Sequence, residues 1–284
     1  MINFVMPTSN DGYSTIYDKT IKAIAPYLTN YTIGDAKHNC VNIYFVYHNF
    51  KKVGTSVFID HGFGCKNYRT SQGLKSFDYV IVQGEFLANL IIDNVNLKNE
   101  QVFIGGYPLF DNLYKNNYTI KNKTLIWTPT HTYTPAISSY PILSKMLDEI
   151  SDWNIIKSPH PYISKDTVLS GEKMVNADVV VADCGSSALE AFILGKPVVF
   201  TTWLVGDNIK KIIPNSVDDY IYSNKIGYHA NSFQHMVELI DLAYKNGMGI
   251  QEESFSEKLL PKNLRGNSGV AIANILKCLS GKYR

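Results

Sequence analysis

Residues 177–202, ADVVVADCGSSALEAFILGKPVVFTT, read as one βαβ unit. Residues 179–182 are a wholly apolar run of strand length and Asp183-Cys184-Gly185 supplies a tight turn. Residues 186–194 follow as a helix, Gly195 stops it, and residues 198–201 form a second buried strand. Two buried strands joined through a helix are parallel, so the fold class is α/β. A helix that begins at Gly185-Ser186-Ser187 leaves its first backbone N–H groups unpaired at the carboxyl end of the sheet. Two hydroxyls stand beside them, and the helix dipole favours an anion there. Glu190, one turn further in, is a carboxylate on an otherwise apolar helix. It is near enough to that terminus to accept from the hydroxyls of a ribose whose diphosphate fills the turn. The pattern predicts a nucleoside-diphosphate site. An ordinary N-cap followed by a first-turn acid has the same appearance, so this stretch alone leaves both readings open.

A chain of 284 residues can build one large or two medium α/β domains, each with its own core. Hydrophobic content of 45% and charged content of 18% place it with globular rather than disordered proteins. The formal net charge of +2 permits a nucleic-acid or anionic-membrane partner and demands neither. The four cysteines, Cys40, Cys65, Cys184 and Cys278, show no CxxC pair and no zinc spacing. The expectation is therefore reduced thiols in a cytoplasmic protein. No metal and no resident cofactor are expected either, because a helix dipole and hydrogen-bond donors can neutralise a diphosphate and no clear DxD motif precedes the predicted diphosphate site. No apolar run approaches the ~20 residues of a membrane span, and the amino terminus enters a strand without a basic leader.

In chain order, residues 3–6 are a strand, and the loop that follows, PTSNDGYST, leads to a helix over residues 16–27. With Gly12 alone, that loop has no GxGxxG fingerprint. Residues 42–47 and 56–59 are further strands, the second running directly into Asp60-His61-Gly62-Phe63-Gly64. A histidine just past a strand end, between a carboxylate that can orient it and glycines that let a substrate approach, meets the needs of a general base. His61 is the candidate base and Asp60 its companion; a turn-capping histidine beside a solvated aspartate is the alternative. Strands over 78–82 and 102–104 follow, separated by a helix over 86–94. The second of these strands exits into GGYPLFDNL. The polar run 114–123 carries the domain linker, dividing the chain into residues 1–117 and 118–284, with the last helix free to pack back on the first domain.

The pattern then restarts. A strand over 125–128 ends in WTPTHTYTP, a helix covers 137–150, and a strand over 154–157 ends in SPHPY. Three consecutive strands thus deliver polar loops to one edge: Thr130-His131-Thr132, residues 157–160, and Asp183 to Ser187. His160, held between two prolines, is presented rigidly and can donate to a phosphate oxygen. Thr128, Thr130 and His131 are further possible donors. Helices over 235–244 and 269–279 close the chain. Arg265 reads as a loop cation with a lesser claim as a phosphate ligand, and His229 and His235 as structural or surface residues.

Taken in order, DHGFG, GGYPLFDNL, WTPTHTY, KSPHPY and the 177–202 unit resemble the successive motifs of GT-B transferases grouped with the CDP-glycerol glycerophosphotransferases of teichoic acid synthesis. They also resemble nucleotide-sugar GT-B enzymes and non-hydrolysing UDP-GlcNAc 2-epimerases. The match covers residues 56–201. The resemblance implies two Rossmann-like domains facing across a cleft, with the donor held mainly by the second and the acceptor by the first. It assigns His61 to the family's proposed base, His160 to the HP motif at the donor phosphates, and Ser186 and Ser187 to the paired serines at the helix start. Glu190 stands in an LEA context where the glycerophosphotransferases usually carry an aspartate, which favours a nucleoside-diphosphate sugar over a CDP-polyol. The chain also lacks the extra amino-terminal region of many membrane-associated relatives, and no strongly basic amphipathic helix is evident, although peripheral membrane contact fits the family.

The expected function is transfer of a sugar or polyol phosphate from a nucleotide-activated donor to an acceptor hydroxyl. His61 acts as base; Gly185, Ser186, Ser187, Glu190, His160, Thr130 and His131 bind the donor. The acceptor is a glycan, a polyol or a hydroxymethylated base in DNA, the last being a substrate of compact viral GT-B enzymes. The DNA reading requires a basic groove built from Lys51, Lys52, Lys66, Arg69 and Lys75. A UDP-sugar 2-epimerase and a non-catalytic nucleotide-sugar-binding module are the remaining alternatives.

Overall fold

The computed structural model describes residues 1–7, 14–47, 52–60, 62–63, 68–115, 122–164 and 170–281, with the side chains of 68–71, 115 and 162 excepted. The chain divides into two units, residues 1–116 with 258–284, and residues 117–257. In the first, β1 (Ile2–Val5), α1 (Ser14–Ile24), β2 (Tyr31–Gly34), β3 (Val41–Tyr44), β4 (Thr55–Ile59), β5 (Tyr79–Val82), α2 (Glu85–Val95) and β6 (Val102–Ile104) follow one another. The second opens with β7 (Thr124–Thr128), α3 (Tyr140–Met146), β8 (Asn154–Lys157), α4 (Pro161–Ser164), α5 (Ser170–Met174), β9 (Val179–Ala182) and α6 (Ser186–Ile193). It continues through β10 (Val198–Phe200), α7 (Thr202–Ile212), α8 (Val217–Asn224), β11 (Tyr228–His229), α9 (Phe233–Asn246) and α10 (Ile250–Leu259), whose last residues already belong to the first unit. The final helix, α11 (Ser268–Gly281), is part of that first unit.

Among the described residues the first unit holds a six-stranded sheet of order β2-β1-β3-β4-β5-β6, parallel throughout. As expected of a parallel sheet covered on both faces, its inner strands β3 and β4 are buried along almost their whole length. One row across the sheet is polar. Thr32, Asn3, Asn42 and Ser56 stand in register on β2, β1, β3 and β4. The Thr32 hydroxyl donates to Asn3 Oδ1 (2.6 Å), Asn3 Nδ2 to Asn42 Oδ1 (3.0 Å), and the Ser56 hydroxyl to Asp78 Oδ2 (2.9 Å). Slipping β1, β3 or β4 would leave the buried side chains of Asn3, Asn42 or Ser56 unpaired, so the row fixes the register that apolar neighbours alone leave loose.

Helix α11 belongs to this core, with Ile272, Ala273, Leu276 and Leu279 buried beside Phe4, Tyr17 and Ile43. Its start is tied down by Asp111, whose two carboxylate oxygens accept the amides of Ser268 (3.0 Å) and Gly269 (2.7 Å). Gly269 also lets α11 approach α1, since a Cβ there would stand 2.1 Å from the Ala23 carbonyl oxygen. The GGYPLFDNL motif therefore serves in part to cap a helix far along the chain.

The second sheet runs β11-β10-β9-β7-β8, again parallel throughout. Leu125, Trp127, Val179, Val181 and Val199 pack against Leu143 and Leu147 and against Met236, Ile240 and Ala243 of α9. Helix α6 ends as expected at Gly195, where the Gly195 amide reaches the Phe192 carbonyl and the Lys196 amide the Ala191 carbonyl, a Schellman closure. The single helix expected over 137–150 is instead α3 flanked by 3-10 turns at Pro135–Ile137 and Leu147–Glu149. Pro141 is accommodated only in a first helical turn, which obliges α3 to begin at Tyr140. The sequence places no element at β2, α4, α5, α7, α8, β11 or α10.

At the end of β11, His229 stacks on Phe200 (ring centroids 5.0 Å) and meets Tyr222 edge-on (5.2 Å). Its Nε2 lies 3.1 Å from the Ile226 carbonyl, which can only accept. Nε2 therefore carries the proton, and Nδ1 accepts from the Thr202 hydroxyl at 2.9 Å. Burial pushes the imidazole down to about 4. A depressed histidine contributes stability above its ordinary value near 6.5 and loses it as pH falls toward the folded value. Between pH 7 and 4 the wild type is expected to lose about 3 kcal/mol more unfolding free energy than His229→Gln, measured by urea titration at each pH. Parallel slopes for the two proteins would refute the neutral, buried role.

Candidate functional site

The chain leaves β7 for β8 on one side and takes up β9 on the other, so the switch point of the second sheet falls between β7 and β9. That is where an open parallel sheet has its crevice, outside the carboxyl ends of the strands. Three loops emerge there, after β7, β8 and β9.

Asp183, fully buried, organises them. Its Oδ2 accepts the amides of Thr130 (3.1 Å) and Ser139 (2.8 Å), and its Oδ1 accepts the Thr201 hydroxyl (2.7 Å). The Tyr222 hydroxyl donates to its carbonyl at 2.6 Å. Burial pushes the Asp183 carboxyl up, and the bonds from Ser139, Thr201 and Thr130 work in the opposite direction. The sequence reading saw only a turn residue here. In the structure this carboxylate ties the β7 loop, the start of α3 and the end of β10 to the β9 turn.

Two residues on, Gly185 has φ 89°, a backbone conformation that a side chain would strain. Its amide, expected to be open to a ligand, is given to Asp218 Oδ1 at 2.6 Å. The donors left at the start of α6 are the amides and hydroxyls of Ser186 and Ser187, which are half-buried and hydrogen-bond no other described residue. Glu190 is buried one turn in, its Oε2 accepting the Ser170 hydroxyl at 3.1 Å.

His131 and His160, from the loops after adjacent strands, bring their rings to 5.3 Å at 85°. Both are half-buried. The positions follow from the backbone: Thr130 is anchored by Asp183, and the Ser158 amide extends the sheet pairing by donating to the Trp127 carbonyl (2.9 Å) before Pro159 fixes the exit. Tyr133 lies beside His131 at 5.6 Å and is 77% exposed. Thr128 and Thr130 are themselves buried, the Thr128 hydroxyl directed at the Val181 carbonyl (3.5 Å) and the Thr130 carbonyl accepting the Ser138 hydroxyl (2.8 Å). Among the described residues no three or more His, Cys, Asp or Glu side chains gather as metal ligands.

No protein-family model matches the sequence, and no curated protein matches it. Solved structures do. The wall teichoic acid polymerase TagF superimposes with a TM-score of 0.68 at 15% identity, covering 99% of this chain and 89% of that one. A variant of the same polymerase soaked with CDPG gives 0.66 at 16%, with the same coverage. The UDP-GlcNAc 2-epimerase of Methanocaldococcus jannaschii, in complex with UDP-GlcNAc and UDP, gives 0.54 at 12%, covering 98% and 99%. The chain has the GT-B fold.

In the first unit of this GT-B chain, the turn after β4 is held from several sides. Asp60 Oδ1 accepts the Gly62 amide (3.3 Å), Gln83 Nε2 donates to the Gly62 carbonyl (2.6 Å), and Phe63 is buried with its ring 4.9 Å from Tyr107. His61 itself, with Gly64, Lys51 and Lys66, lies outside the described residues, as does the Arg69 side chain. Of the cations considered for a nucleic-acid groove, Lys52 pairs with Asp78 at 2.7 Å and Lys75 is exposed. Arg265 donates from Nε to the Leu260 carbonyl (3.2 Å), serving the end of α10. His235 sits in the first turn of α9, its amide on Ser232, the N-cap, and its Nδ1 2.8 Å from Asn231 Oδ1. Cys40 and Cys184 are buried thiols and Cys278 is exposed. No helix among the described residues is long and apolar enough to cross a membrane.

Proposed function

We propose that this chain transfers a sugar, or a polyol phosphate, from a nucleoside-diphosphate donor to an acceptor hydroxyl. His61 takes the acceptor proton as the oxygen attacks, and the electron pair of the breaking bond passes to a phosphate oxygen of the leaving nucleotide. Ser186 and Ser187 receive that charge with their amides and hydroxyls, His131 and His160 with their imidazoles, and Glu190 accepts the ribose hydroxyls. The observation that carries this reading is the convergence at the β7/β9 switch point of open helix-start donors and a histidine pair. The neighbours soaked with CDPG or complexed with UDP-GlcNAc make a nucleotide-activated donor the natural class.

The test is a thermal-shift and calorimetric screen against CDP-glycerol, CDP-ribitol and UDP-, GDP- and dTDP-sugars. A ligand at one hundred times its Kd stabilises by about 2.7 kcal/mol. One donor class should raise the melting temperature, and His160→Ala should weaken its binding about tenfold, as loss of a hydrogen bond to a charged group implies. No stabilisation by any member would remove the nucleotide site and transfer with it. Conversion of donor without added acceptor would instead mark an epimerase.

A further inference from the structure

We infer that Asp218 sets the charge selectivity of the diphosphate site, favouring the uncleaved diester donor over the free nucleoside diphosphate. This rests on the nucleotide reading above. Asp218 is almost wholly buried, 1% exposed, and accepts the Gly185 amide at 2.6 Å. It belongs to the first turn of α8, so two helix N-termini, its own and that of α6, converge on one carboxylate and favour its negative charge. Helix α8 is fixed against the turn at a second point, the Tyr222 hydroxyl on the Asp183 carbonyl (2.6 Å), and its own start is capped by Ser216 accepting the Asp219 amide. The carboxylate is therefore held in place.

The consequence is electrostatic. Ser186 follows Gly185 directly, so an anion on the Ser186 and Ser187 donors stands one peptide unit from an amide already paired with Asp218. Part of the attraction that a helix start offers an anion is spent on the protein's own carboxylate, and each further negative charge on the ligand meets its repulsion. An intact donor is a diphosphate diester with about two negative charges, and the nucleoside diphosphate freed by sugar transfer carries up to one more, on its terminal phosphate. The open donors and the imidazoles attract both ligands. Asp218 discriminates against the more highly charged one, which, when a sugar is transferred, keeps the freed nucleoside diphosphate from occupying the site.

The experiment is calorimetric titration of wild type and Asp218→Asn with two matched pairs, CDP against CDP-glycerol and UDP against UDP-GlcNAc. Asparagine keeps an oxygen for the Gly185 amide and removes the charge. Asp218→Asn should bind the free diphosphates about tenfold more tightly and the diesters by a smaller factor. A carboxylate that merely supports the turn predicts equal weakening of both, and equal changes in either direction would overturn the selectivity role. Should the variant fail to fold, the wild type alone decides. Relative to the diesters, the free diphosphates should weaken as their terminal phosphate gains its last negative charge between about pH 5 and 8, and a ratio that stays flat or moves the other way overturns the inference. If the wild type binds neither member of either pair, the nucleotide reading fails first and this role with it.

Discussion

Asp183→Ala is expected to cost about 3–5 kcal/mol of unfolding free energy, a large part of the 5–15 kcal/mol that a typical domain possesses. The substitution strands the buried amides of Thr130 and Ser139 and the Thr201 hydroxyl together. Each orphaned group loses its partner without regaining water, at about 1–3 kcal/mol, and relief of the buried charge returns only a fraction. Asp183→Asn should be far milder, near 1 kcal/mol, because its oxygen can still serve both amides while its NH2 turns to the Thr201 oxygen, which can accept. The pH dependence separates the two further. A carboxyl pushed up by burial contributes stability below its ordinary range and loses it as pH rises through the folded value, so the wild type carries a downward slope with pH that Asp183→Asn lacks. Denaturant titration of the three proteins at several pH values is the measurement, and an alanine variant within 1 kcal/mol of wild type would refute Asp183 as the hub of the three loops.

His61→Ala is expected to lower transfer by about 10²–10⁴-fold, the range for a general base, while donor affinity stays nearly unchanged. The separation follows from the assignment of the two roles to different units: the donor groups belong to the loops after β7, β8 and β9, and His61 follows β4. Its described neighbours Gly62 and Phe63 are anchored by Asp60, by Gln83 and by burial of the Phe63 ring, so removing the imidazole should leave them in place. Single-turnover kinetics with the donor found by the screen, together with calorimetry, would check both halves. Persistence of transfer in the alanine variant would exclude His61 as the base. Loss of donor binding in parallel with rate would move His61 from proton transfer to substrate holding.

The parts of the site that the sequence made legible are those written in neighbouring residues. A run such as Val179–Ala182 is a strand because four apolar residues in succession suit a parallel sheet covered on both faces. The helix after it starts at Ser186 and stops at Gly195 because those residue types satisfy, or relieve, helix ends. From such runs and the polar turns between them came the α/β class and the delivery of His131, His160 and Ser186-Ser187 to one edge. The helix expected over 137–150 is interrupted for an equally local reason, since Pro141 fits only a first helical turn.

What the sequence alone determined, then, is the alternation of strand and helix and the chemistry that each loop brings to the carboxyl edge. Only the tertiary structure decided how those loops are held and which donors stay open. Asp183 reaches Ser139 across 44 residues, Asp218 takes the Gly185 amide across 33, and Asp111 caps α11 across 157. The Asn3–Asn42 pair spans 39 and sits inside strands that otherwise read as apolar. A buried polar group must find a partner, but that requirement leaves no periodic trace, because any donor the fold carries to the right place will satisfy it.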